Sequence, residues 1–325
     1  MVLTSVPAQP AGPTAAGQPP GTSLPRPAAR RPGRRPLPYA LLLPTALALA
    51  VALAYPLGRQ VLMSAQEYGL AQQFGRPPEW VGLDNYRALL TDRALWAVVA
   101  RTVAFCLVNA AVTMVLGCAV AVLMTRLGTA VRLLVQVSLL LAWAMPVLAA
   151  LTVWVWLFDA QYGVVNHVLT RLGGDFAQHS WLIDPLSFYF VATVVVVWMS
   201  VPFVALTVYA ALTQVPEEVV EAAVLDGAGP WQRLRHVVAP VVRPVLAVVG
   251  LLQVVWDLRV FTHVYVLQNA GGVSSETNLL GTYVYRVGIA EGRFGTSAAA
   301  AMLLLLLTVL LTAALVRSML RQDVA

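Results

Sequence analysis

Lysine is missing from this sequence. All 21 basic residues are arginine, so the Gly-Lys-Ser/Thr of a phosphate-binding Walker A loop cannot be present. If ATP drives this system, another polypeptide hydrolyses it. Charge of either sign is scarce: charged residues make up 11% of the chain, against about 25% in an average soluble domain. Cysteine is almost absent too. Cys106 and Cys118 lie in one apolar run, and twelve residues of helix would hold them about 18 Å apart, too far for a disulfide. They read as small buried hydrophobes. The four histidines, His167, His179, His236 and His263, share no ligand-like spacing, so no metal is expected.

What fills the chain instead is apolar. Hydrophobic residues make up 59% of it and the mean hydropathy is +0.75, which with repeated long runs places it in the helical membrane class. Six runs are read as spans, at about 38–63, 97–125, 133–158, 186–212, 241–268 and 297–317. Each is long enough for a ~30 Å hydrocarbon core at ~1.5 Å per residue. The expected fold is all-α, with Pro44 and Pro56 as tolerable kinks in the first span. Residues 1–36, rich in Pro, Ala, Gly and Arg without apolar period, read as a disordered tail, and 37–325 as the membrane domain. A secretory or twin-arginine signal is the competing reading of the N-terminus. The leader is long for one, however, and the apolar run continues past Ala54 to Met63.

Six spans put both termini on one side, and arginine chooses the side. Twelve arginines fall with the termini: Arg26, Arg30, Arg31, Arg34, Arg35, Arg126, Arg132, Arg233, Arg235, Arg243, Arg317 and Arg321. Six fall in the opposite loops: Arg76, Arg87, Arg93, Arg171, Arg286 and Arg293. The bias predicts cytoplasmic termini.

One polar, patterned stretch interrupts the apolar runs: Pro216 to Pro244, within a loop of 214–244. It spells helix, turn, helix. Pro216 suits the first helical position, and Glu217 and Glu218 put negative charge in the first turn, where the helix dipole favours it. Val219, Val220, Ala223 and Val224 recur at helical spacing. Gly227, Gly229 and Pro230 break the run. Trp231 to Val238 restarts it, and Pro240 and Pro244 are expected to end the second piece. The charge bias places this hairpin on the cytoplasmic side. A DNA-binding helix-turn-helix shares the Ala-x3-Gly spacing, with Arg233 and Arg235 as phosphate contacts, but flanking spans would pin it to a membrane. An ordinary cytoplasmic loop is the plain alternative.

Glu221-Ala222-Ala223, Gly227 after three residues, then Val237, Ala239 and Pro240 resemble the EAA loop of ABC importer permeases, EAA-x3-G-x9-I-x-L-P. The departures at Val237 and Ala239 stay apolar. Three weaker matches follow the same family's sugar-type branch. They are Gly82-Leu83-Asp84-Asn85-Tyr86 with Leu89-Leu90-x-Asp92, the stretch from Tyr265 through Gly271-Gly272 to Thr277, Leu279 and Tyr283, and Phe294-Gly295 before the last span. The resemblance covers about residues 38–320.

It implies a multi-pass permease subunit in the bacterial cytoplasmic (inner) membrane, not an enzyme, serving a binding-protein-dependent importer of a di- or oligosaccharide. Glu221, Ala222, Ala223, Asp226, Gly227 and Pro240 would then belong to the coupling element seated in a separate ATP-binding subunit. Within it, the alanines allow close approach, Gly227 the turn, and Glu221 a basic partner. The implied partners are that ATPase, a second homologous permease, an external solute-binding protein and membrane lipid, with no nucleic acid. No cofactor is expected in this chain; ATP and Mg²⁺ would be bound by the ATPase.

Ionisable residues within a span default to function, and the fifth span carries Asp257 and Arg259 with Gln253, Trp256 and His263 nearby. Gln253, Trp256 and Asp257 are expected to help line a translocation cavity, where amide and carboxylate suit sugar hydroxyls and an aromatic face suits a pyranose ring. The competing reading pairs Asp257 with an arginine of a neighbouring helix, locking the bundle. Trp143 and Trp198, beside Pro146 and Pro202, are further candidates for solute contact, whereas Trp154, Trp156 and Trp181 read as interfacial anchors. The alternative from another class is a secondary transporter running protons through Asp257 and His263. Inverted repeats, which would favour it, are not seen. An intramembrane enzyme is unsupported, since no nucleophile pair or paired mid-span aspartates occur.

Overall fold

The structure, a computed structural model, describes residues 37–322. The expected disordered tail, 1–36, lies outside them. The chain divides into a first unit ending at Ala54 and a second beginning at Tyr55. The described part of the first is α1 (Leu37–Leu49), with Pro44 inside, and a π-helical turn, Ala50–Ala54. Its side chains from Leu41 onward are exposed.

The second unit opens with α2 (Tyr55–Ser64), then β1 (Gln66–Glu67), α3 (Leu70–Gln73) and β2 (Glu79–Trp80). The two short strands pair antiparallel, Gln66 opposite Trp80. Next come α4 (Asp84–Thr91), the long α5 (Arg93–Arg126), α6 (Thr129–Ala144), α7 (Val147–Leu157) and α8 (Val164–Arg171). Helix α9 (Pro185–Leu212) leads to α10 (Glu217–Leu225), α11 (Pro230–Arg233), a π-helical turn (Leu234–Val238) and α12 (Ala239–Leu258). The chain closes with α13 (Thr262–Asn269), α14 (Ser274–Thr277), α15 (Leu280–Tyr285), a third π-helical turn and α16 (Phe294–Gln322).

Among the described residues, five helical stretches are long and apolar enough to cross a membrane: Leu41–Ser64, Arg93–Arg126, Pro185–Leu212, Pro230–Asn269 and Phe294–Met319. The pair α6 and α7, bent by 98° at their junction, passes the same test only when the two are taken together as one span, which would make six. The sequence predicts an unbroken span there. Proline explains the break: Pro146 lacks an N–H and pushes the residue before it out of the helical region. Met145 accordingly sits at φ −66°, ψ 131° and caps α6, and Pro146 precedes α7.

The second departure concerns Pro240 and Pro244, expected to end the hairpin's second arm. They do not. The π-helical turn passes directly into α12, with Pro240 near its start and Pro244 inside it. Proline at the opening of a helix loses a hydrogen bond that would be unmade anyway, and the π-helical turn shifts the ladder just before it.

The core is helix on helix. Phe105 of α5 meets Tyr189 of α9 at 5.7 Å between ring centres. Further along the same pair, a Cβ on Gly117 would lie 2.5 Å from Val204 Cγ1. The two helices therefore run in the same direction, in contact through small buried residues such as Ala121 and Ala205, as helices packing in lipid do. Caps hold both: Asp92 accepts from the Ala94 N–H at 2.8 Å, and Asp184 from those of Leu186 and Ser187.

The weak matches also acquire a physical basis. Asn85 Nδ2 donates to the carbonyls of Ser64 (3.0 Å) and Gln66 (2.9 Å), and the Gly295 N–H donates to Tyr68 O at 2.9 Å. A Cβ on Gly295 would stand 2.2 Å from Gln66 O. Segments more than 200 residues apart are thus knitted together at one end of the bundle.

Because Gly117 is where α5 and α9 touch, Gly117→Leu is expected to destabilise the subunit by about 1–3 kcal/mol. A melting temperature of the detergent-purified protein would show it, with Cys118→Ala next to it as the mild comparison. An unshifted melting temperature in Gly117→Leu would remove this contact from the account.

Candidate functional site

Helix α10 is built as its residues dictate. Pro216 stands at the N-cap, one place before the expected first helical position, and Glu217 and Glu218 occupy the first turn. The far end is closed by Gly227 at φ +82°. Its N–H donates to Val224 O at 3.0 Å, and that of Ala228 reaches back to Ala223 O at 2.9 Å. This is the paired-bond C-terminal motif that favours glycine. A Cβ on Gly227 would meet nothing, so the requirement is one of backbone conformation, not space. The Gly229 N–H donates to Gln232 Oε1 at 2.9 Å and starts the second arm.

The hairpin has two faces. Glu217, Val220 and Glu221 line a cavity of about 650 Å³, together with Arg126 and Arg132 at the ends of α5 and α6, Tyr209 of α9, and Arg233. The other face is bare. Leu225 is 88% exposed and Trp231 67%, with Val219, Ala222 and Asp226 also exposed. Ala223 is half-buried. Leu225 and Trp231 were not singled out from the sequence. Their signal was present, since both interrupt a polar turn with large side chains that the apolar stripe does not use. Pro240, exposed, lies in the opening turn of α12 and not in the turn of the hairpin.

The mid-span candidates separate into three groups. Gln253 and Asp257 are buried, Asp257 to 2% exposure, and Gln253 Nε2 donates to both carboxylate oxygens at 3.0 Å. They form a seam against α5, where Cys106 Sγ approaches Val254 O at 3.5 Å. The Oδ1 of Asn109, Oγ1 of Thr113 and Oε1 of Gln253 are buried without a hydrogen-bond partner among the described residues. Among the described residues no arginine comes within ion-pair distance of Asp257, and Arg259 is exposed.

Trp256 and Trp143 make the second group. Trp256 is 43% exposed and Trp143 49%. Both pack on Phe203, at 5.0 Å and 6.1 Å between ring centres, so α12, α6 and α9 share one aromatic strip. Phe203 is the member that sequence reasoning missed. Trp198 belongs elsewhere: it meets Trp154 edge-on at 5.7 Å, in the aromatic cluster that continues through Phe158 to Trp181. His263 Nε2 faces Met199 Sδ at 3.3 Å.

Residues 113–321 match the model of the family described as "Binding-protein-dependent transport system inner membrane component". This chain belongs to that family. Among curated relatives, it is 42% identical over 287 residues to the diacetylchitobiose uptake system permease protein DasB of Streptomyces coelicolor, covering 88% of this chain and 87% of the relative. It is 31% identical to the trehalose/maltose transport system permease protein MalF of Thermococcus litoralis, over 64% of this chain and 70% of that one. It is 30% identical to the sulfoquinovosyl glycerol transport system permease protein SmoG of Agrobacterium fabrum, over 82% and 85%. Among solved structures, a chain of a bacterial ABC transporter that imports the acidic polysaccharide alginate shares the fold. Its TM-score is 0.76 at 21% identity, covering 88% of this chain and 95% of that chain. The chain is therefore a multi-pass membrane subunit of a transport system, with the all-α fold the sequence predicts.

Because the turn depends on a left-handed glycine, Gly227→Val is expected to cost about 1–2 kcal/mol locally and to loosen the hairpin. Amide hydrogen exchange should quicken over residues 222–230 while the α5 and α9 amides keep their protection. Equal protection in both proteins would show that the turn does not need glycine.

Proposed function

We propose that this chain forms the membrane pathway of an ATP-driven sugar importer and that its hairpin receives the motion of a separate ATPase. The observation that carries the reading is the bare Leu225–Trp231 face, presented on a helix closed by Gly227, in a chain with no lysine for a Walker A loop. An exposed apolar pair on a rigid turn fits a groove in a partner protein. ATP and Mg²⁺ belong to that partner. A second, homologous permease would complete the pathway, and an external binding protein would deliver the solute. The arginine bias supports a cytoplasmic hairpin and cytoplasmic termini.

The proposed cargo is a di- or oligosaccharide. The 42% identity to the diacetylchitobiose permease makes an N-acetylglucosamine disaccharide the first sugar to test. In the pathway itself, Trp256, Trp143 and Phe203 offer ring faces to a pyranose, while Gln253 and Asp257 sit behind them and fix the α5–α12 seam. In the cycle, closure of the ATPase pair pushes the hairpin. The continuous second arm carries that displacement along α12 to Trp256.

The test is uptake into proteoliposomes holding this chain with its second permease and ATPase. Accumulation of labelled disaccharide should require both internal ATP and the external binding protein. Leu225→Asp should abolish uptake while the binding protein still docks, and Trp256→Ala should raise the KM about tenfold, the worth of one aromatic contact. Uptake by this chain alone under a pH gradient would sink the proposal.

A further inference from the structure

The cavity behind the hairpin has a use that coupling does not require. It lies where α5 and α9 end and α6 begins: Arg126 is the last residue of α5, Arg132 lies in the first turn of α6, and Thr213 caps α9. Membrane-length helices stop there, so the cavity lies at the level of lipid headgroups whichever face it occupies.

Its charge is uneven. Arg126, Arg132 and Arg233 share it with two carboxylates, Glu217 and Glu221, an excess of one positive charge. Among the described residues none of these three guanidiniums comes within ion-pair distance of a carboxylate. At the other end of the helices the pattern differs, for Arg286 and Arg293 both pair with Glu291, at 3.6 Å and 3.7 Å. The Nε of Arg233 is moreover shielded from solvent with no acceptor. A charged donor buried without an acceptor is costly. Arg132 Nη2 donates to the Thr129 hydroxyl at 3.4 Å. Val122, Leu212 and Val238 supply an apolar wall beside the arginines.

We propose that this cavity binds a phosphate-bearing anion, the headgroup of an acidic phospholipid. Guanidinium forks match phosphate oxygens in pairs, and basic pockets between membrane helices hold such headgroups. The lipid would bridge the hairpin to the ends of α5 and α6 and stiffen the junction.

The experiment uses the full transporter in nanodiscs of phosphatidylcholine, with and without phosphatidylglycerol, and reads retained lipid by native mass spectrometry. Wild type should keep phosphatidylglycerol through detergent washing. Arg126→Gln, Arg132→Gln and Arg233→Gln should each weaken retention about fivefold, and Arg76→Gln, far from the cavity, should not. If a glutamine variant fails to assemble, Arg→Lys at the same position keeps the charge but loses the fork and should give partial retention. Equal retention in wild type and all three variants overturns the proposal. So does an arginine-dependent site saturated by inorganic phosphate in phosphatidylcholine alone, which would make it a soluble-anion site. Because transport is not read, failure of the sugar-importer reading would leave this result intact.

Discussion

The structure depends on one continuity: the second arm of the hairpin and the fifth span are the same helical stretch. From Pro230 to Leu258 no residue leaves helical geometry, although the run contains Pro240 and Pro244. A proline deep in an α-helix removes a hydrogen bond and strikes the carbonyl four residues back. Here the ladder is already offset before Pro240, since the Ala239 N–H reaches Leu234 O, five residues back. The offset lets the prolines be carried without a break, at a cost in stiffness confined to one turn. A break would have left the hairpin hanging from the bundle as a loose loop. Without one, Trp231 and Trp256 lie on one continuous helical stretch.

That stretch is anchored on one side by a polar seam. In an apolar interface, Gln253, Asp257, Asn109 and Thr113 are expensive to bury, and packing alone gives no reason for four of them. Gln253 lies four residues before Asp257, so its amide can hold both carboxylate oxygens from within one helix. Three oxygens there, on Asn109, Thr113 and Gln253, find no partner among the described residues. The α5–α9 contact at Gly117 is the opposite, close and apolar.

Much of this was legible in the residues because it is local. The glycine at φ +82°, the acidic first turn of α10 and the caps at Asp92 and Asp184 follow from short-range backbone chemistry. The six apolar runs follow from the length a bilayer demands. What was not legible needed a neighbour. Pro146 lies inside a run read as one span, 133–158, and whether a proline there bends a helix or breaks it by 98° depends on what receives the freed carbonyls. Gln253, Trp256 and Asp257 were read together as cavity-lining because polar and ionisable groups within a span default to function. The residues do not say how each side chain is disposed, and Trp256 is 43% exposed whereas Gln253 and Asp257 are buried. Trp143 and Trp256 are joined only through Phe203, a residue with no polar or charged signal to mark it.

The hairpin's two faces show how one short helix can serve two surfaces. With a period of 3.6, Glu217, Val220 and Glu221 fall on one side, while Ala222 and Leu225 fall on another. The side toward the bundle carries the carboxylates, opposite arginines at the ends of the membrane helices, where attraction acts over distance and tolerates movement. The outer side carries large apolar groups, whose worth vanishes once contact is lost. Glu221 thus lines the cavity it shares with Arg126, Arg132 and Arg233, while Leu225 and Trp231 stand exposed on the other side.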